Sequence, residues 1–105
     1  MKQTNIFQGC TLQCDVNIFQ LNKSITISLV NINNELTDIV IQQPIDDCEP
    51  INLLGSSNTL KNISKWLSEI IQKQVCIISS VLIEFDGKTE IELLKHLHET
   101  IKQMQ

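Results

Sequence analysis

Residues 11–19, TLQCDVNIF, alternate between apolar and polar side chains. Leu12, Cys14, Val16 and Ile18 fall on one side, and Thr11, Gln13, Asp15 and Asn17 on the other. A period of two predicts a strand with one buried face. After the short link Gln20-Leu21-Asn22, KSITISLV alternates again, with Ile25, Ile27 and Leu29 set against Ser24, Thr26 and Ser28. Two such strands on a short polar link predict a hairpin. NINNE (31–35) reads as a turn, because asparagine tolerates the left-handed backbone. A third strand is predicted over about 36–42 around the β-branched run Ile39-Val40-Ile41. The proline-bracketed, acidic stretch QPIDDCEP (43–50) reads as a loop, and a short fourth strand over 51–54 ends at Gly55.

The period then changes. Leu60, Ile63, Leu67, Ile70 and Ile71 recur at helical spacing, with Lys61, Lys65 and Glu69 elsewhere on the helix. Val75 to Ile83 is apolar on both sides and rich in β-branched residues, the pattern of a central strand covered on both faces. Residues 85–88, FDGK, turn the chain. Thr89 and Glu92 then have the spacing of a capping box, ahead of a last helix carrying Ile91, Leu94, Leu97 and Ile101 on one stripe. The expected fold is α+β, a largely antiparallel sheet in the order ββββ-α-β-α. All 105 residues are expected to form one domain, with no repeat, linker or low-complexity segment.

Two helices can cover only one face of such a sheet. Leu12, Cys14, Val16, Ile18, Ile25, Ile27 and Leu29 suit the covered face. The other face is expected to carry Thr26, Ser28, Val30, Ile39 and Ile41, together with Ile78, Ser80 and Leu82 from the doubly apolar strand. That mixture of small polar and β-branched residues is too apolar in places to be left in water. Packing against a partner's sheet would cover it, so a dimer through this face is expected.

Charge narrows the function classes. The formal net charge is −4, and all eight cationic side chains are lysine. The forked guanidinium favoured for phosphates and base edges is therefore absent. The lysines are scattered rather than clustered in a stripe, so nucleic acid is not an expected partner. The apolar runs are too short to span a bilayer, and no charged-then-apolar leader opens the chain. Neither is a membrane partner expected, then. A cytoplasmic setting, extending to the nucleus, is expected, with Cys10, Cys14, Cys48 and Cys76 as reduced thiols.

The best enzymatic candidate is NLLGSSNTLKNISKWL (52–67), a glycine turn entering a helix, where phosphates are often cradled. Gly55 has neither the further glycines nor the lysine of a nucleotide-binding loop. Ser56, Ser57 and Asn58 are common helix caps, which makes capping the better reading. CTLQC (10–14) has no second pair at zinc spacing, and Cys14 lies on the apolar side of its strand. His96 and His98 diverge by roughly 200° on a helix and cannot share a metal within it, so surface histidines are the simpler reading. Asp46-Asp47 and Glu90–Glu92 fit a solvated loop and a helix start. Trp66 lies off the main stripe, either partly packed in the core or exposed as a contact residue. No cofactor and no catalytic set emerges, and the chain reads as a non-enzyme.

Leu53-Leu54-Gly55, Leu60, the run from Val75 to Ile83 and Glu92-Leu93-Leu94 leading to Ile101 resemble the proteasome assembly chaperone 3 family. Thr11 to Cys14, Phe19 and the strand from Ile25 to Val30 look like that family's first hairpin. The connection from Pro44 to Pro50 looks shorter than in that family's animal members. The resemblance implies a non-enzymatic chaperone of 20S proteasome assembly. It also implies a homodimer, or a heterodimer with a proteasome assembly chaperone 4-like protein. Such a pair binds α-type subunits, notably α5, while the α-ring forms. A small adaptor or trafficking-type binding module would share nearly every one of these sequence features. A nucleotide- or phosphate-ester-binding protein using residues 55–58 is the enzymatic alternative.

Overall fold

The computed structural model describes residues 1–9, 12–31, 35–45, 47–81 and 87–104. The elements are β1 (Lys2–Gln8), β2 (Gln13–Gln20), β3 (Ser24–Val30), β4 (Asp38–Gln42), β5 (Ile51–Leu54), α1 (Asn58–Ile71), β6 (Gln74–Ser79) and α2 (Gly87–Gln103). The fold is α+β, with both helices on one face of a single sheet. Strand order is β1-β2-β3-β6-β4-β5. Among the described residues only β3 and β6 pair in parallel; the other four pairings are antiparallel.

Alternation decides which side chains meet the helices. Cys14, Val16 and Ile18 of β2, Ile25, Ile27 and Leu29 of β3, Val40 of β4, and Val75 and Ile77 of β6 are all buried. They pack against Leu60, Ile63 and Leu67 of α1 and Leu93, Leu97 and Ile101 of α2. Leu12 is partly buried against the same cluster. Burying a side chain of this size contributes about 1.5–3 kcal/mol, which makes this cluster the main stabilising feature of the fold.

Several local expectations change. β1 precedes the four strands that the pattern predicts, and it pairs with β2 from Lys2↔Phe19 to Gln8↔Gln13. Its sequence, KQTNIFQ, hides the strand because Phe7 is its one fully buried residue. On α1, Ile70 is 44% exposed, while Ser64 and Ser68 are buried in its stead. On α2, Ile91 is 54% exposed, and Leu93 and Thr100 enter the interior. α2 already begins at Gly87, so Thr89 lies inside the first turn and is not the residue that caps it. The turn expected over 31–35 and the end of the apolar run, Leu82 and Ile83, lie largely outside the described residues.

β6 is central in the sheet, as its composition predicts, but the described residues cover only one of its faces. Val75, Ile77 and Ser79 are buried, and Cys76 and Ile78 are half-buried on the other side. The 43–50 connection is tied down by Gln42, whose Nε2 donates to the carbonyls of Gln43 (2.9 Å) and Cys48 (2.8 Å).

Candidate functional site

The 52–67 stretch runs from the end of β5 through a capped turn into α1. Ser57 is the N-cap of α1, and its Oγ accepts the backbone N–H of Leu60 at 3.2 Å. Gly55 has φ +76° and so fits the left-handed turn between β5 and the cap. The buried carboxylate of Asp38 reaches this turn, with Oδ1 accepting the Ser57 N–H at 3.3 Å. Two amides at the helix start, those of Ser57 and Leu60, are thus taken up by side chains of the chain itself.

The histidines diverge as expected, and each has its own partner. His96 Nε2 lies 3.0 Å from Asn5 Oδ1, and its ring packs edge-on against Phe7. Asn5 Nδ2 donates to Thr100 Oγ1, which in turn donates to the His96 carbonyl at 2.8 Å. This network pins β1 to α2. The histidines are therefore half-buried rather than freely exposed, and His98 stacks edge-on with the 38%-exposed Trp66. Trp66 is a partly exposed residue outside the main core.

Burial lowers the His96 pKa below its usual value near 6.5. The unfolded chain then binds the proton more readily than the native one. The stabilising neutral form is fully effective above pH 6.5 and is lost as pH falls from there through the folded pKa. Between pH 6.5 and 5, the native chain is expected to lose stability more steeply than its His96→Gln variant. Urea titrations at stepped pH measure the difference, and parallel curves would rule out a role for His96.

Cys14 is buried in the core, where desolvation, assisted by the neighbouring Asp15 charge, raises its thiol to about 11. Burial likewise raises the pKa of Cys76. Both are poor nucleophiles at neutral pH. Cys10 lies outside the described residues; Cys14, Cys48 and Cys76 are free thiols. Among the described residues, no group of three His, Cys, Asp or Glu side chains could hold a metal ion. No described helix is long and apolar enough to cross a membrane.

What remains is the sheet face opposite the helices. Strand register lays it out in two rows. One runs Leu54, Ile39, Ile78, Ser28, Asn17, Thr4, and the other Ile51, Ile41, Cys76, Thr26, Phe19, Lys2. The β5-β4-β6 half is almost wholly apolar. The β3-β2-β1 half is mostly hydroxyl and amide, with Thr4 Oγ1 donating to Asn17 Oδ1 at 3.0 Å.

A chain from the crystal structure of a chaperone complex for yeast 20S proteasome assembly superposes with a TM-score of 0.67. The match covers 98% of this chain and 95% of that one, at 13% sequence identity. The likeness is one of fold. No family model matches the sequence, and no curated protein matches it closely.

Of the residues expected on the open face, Thr26, Ser28, Val30, Ile39, Ile41 and Ile78 lie there, each half-buried. Ser80 lies just past β6, where its Oγ accepts the Asn31 N–H at 2.9 Å. Leu82 is outside the described residues. The structure adds Ile51 and Leu54, 57% and 40% exposed. They escaped the sequence reading because strand pairing, not periodicity, places β5 beside β4. Cys76 has the same parity as Ile78, a signal already present in the alternation.

Proposed function

We propose that this protein is a non-enzymatic chaperone of 20S proteasome assembly, of the assembly chaperone 3 type. It acts as a dimer, with a second copy or a related small chaperone of the assembly chaperone 4 type, and engages α-type subunits, notably α5, during α-ring formation. The observation that carries this reading is the near-complete superposition on a chain of the yeast assembly chaperone complex. A second feature agrees with it: an open sheet face whose apolar half is continuous across three strands. In the dimer, Thr26, Ser28, Val30, Ile39, Ile41 and Ile78 meet the partner's sheet, with Ser80 and Leu82 at the margin.

The test is affinity capture of the tagged chain from its own cells. Recovery of α-type proteasome subunits and incomplete rings is the expected result. Recovery of vesicle or scaffold proteins without proteasome subunits would replace this reading with that of an adaptor module.

A further inference from the structure

The edge of β5 and the groove beside it make a second surface, distinct from the open face. Among the described residues β5 is the outermost strand and pairs only with β4, so the backbone groups on its outer side have no strand partner there. Exposed edges are usually guarded by charged side chains. Here the whole stretch from Pro50 to Lys61 has none before Lys61 itself. Ile51 and Leu53 are 57% and 63% exposed.

On its helix side the edge borders a groove of about 450 Å³ between α1 and the segment leading into β5. Asn58, Lys61, Asn62 and Lys65 line one wall, and Glu49 and Pro50 the other. Spacings of three and four put these α1 residues on one helix face. Lys65 Nζ lies 3.6 Å from Glu49 Oε1, a pair of exposed side chains. Lys61 has no ion-pair partner among the described residues.

We propose that this edge and groove bind an extended acidic segment of a partner protein as an added strand. Main-chain bonds to β5 supply the common attraction, and alternate side chains supply the specificity. In an added strand, successive side chains point to opposite sheet faces. One set projects over Lys61 and Lys65, which favour carboxylates. The other extends the two rows that begin at Ile51 and Leu54 and is best apolar. The matching segment therefore alternates acidic and apolar residues. A second copy of β5 does not fit, because Ile51, Asn52, Leu53 and Leu54 bring no charge to the lysines. An incoming carboxylate takes the place of Glu49 on Lys65.

Fluorescence anisotropy with the full chain tests this, using an end-blocked, labelled heptapeptide that alternates Glu and Val. Saturable binding is expected. It falls by about tenfold or more when Lys replaces Glu in the peptide, or when a central Pro removes an edge-facing N–H. On the protein side, Lys61→Gln with Lys65→Gln weakens binding about fivefold at low salt, and Glu49→Gln strengthens it about twofold. Amide shifts on peptide addition should centre on residues 51–54. No binding at millimolar peptide, or equal binding of the proline-interrupted peptide, would overturn the proposal. So would indifference to the lysine pair. The peptide controls use the unaltered chain and keep the test decisive should a variant misfold. Neither outcome depends on whether the open face dimerises.

Discussion

Replacing Gly55 by alanine is expected to lower the melting temperature by about 15 °C, an outsized effect for adding one methyl group. Two causes act together. Gly55 sits at φ +76°, where an L side chain is strained. A Cβ there would also press inside van der Waals contact on Asp38 Oδ1 and the Thr37 carbonyl, and would lie 2.8 Å from Asp38 Cγ. Asp38 is buried and already holds the Ser57 amide, so its carboxylate has little room to yield. Strain and collision together cost about 3 kcal/mol, a large fraction of the 5–15 kcal/mol that keeps a typical domain folded.

Ser57→Ala provides the comparison. It removes one capping bond, worth about 1 kcal/mol, without disturbing the turn. Calorimetry on both variants separates collision from capping. If Gly55→Ala costs no more than Ser57→Ala, the close approach of Asp38 is not a constraint on this turn. In the double variant Gly55→Ala/Asp38→Ala, relief of the collision with Asp38 should recover part of the loss caused by alanine at 55, while the φ strain and the contact with the Thr37 carbonyl remain.

The stretch around Gly55 was legible because its signals are local. A glycine, a hydroxyl and an apolar run within a few residues specify both the turn and the cap. The same holds for the alternation of β2 and β3, and for the divergence of His96 and His98. The misread helix positions have another cause. Ser64 and Ser68 enter the core because each hydroxyl donates to a carbonyl three residues back, at Lys61 and Lys65, both at 2.9 Å. A small polar residue whose bond is made within its own helix carries little burial penalty. A count of apolar residues therefore points to Ile70 over the two serines and misses Thr100, whereas Ile91 and Leu93 are both apolar and only the phase of the stripe separates them. β1 was hidden for a non-local reason: its inward side pairs Asn5 with His96 and Thr100, more than ninety residues away. Parity alone put Thr26, Ser28, Ile39, Ile41 and Ile78 on one face. That β6 inserts between β3 and β4, making Ile39 and Ile78 neighbours, depends on a long crossover that no local pattern encodes.

That neighbour pair gives the strongest test of the open face. Ile39 and Ile78 sit opposite each other on β4 and β6, near the middle of the apolar half. Both are half-buried in the single chain, so Ile39→Glu or Ile78→Glu leaves the carboxylate within reach of water, and the fold should survive. Against a partner's sheet the same carboxylate is trapped without a counter-charge, which costs several kcal/mol. In a two-fold homodimer each substitution enters the interface twice, so the penalty doubles. The dissociation constant is expected to rise by at least about a hundredfold, leaving a folded monomer at micromolar concentration. Ile91→Glu, on the helix side at 54% exposure, should leave assembly unchanged. Sedimentation velocity with circular dichroism on the same samples reads both quantities. A native chain that is already a stable monomer would exclude the homodimer and leave only a related partner for this face. A dimer indifferent to both glutamates would place the contact elsewhere on the molecule.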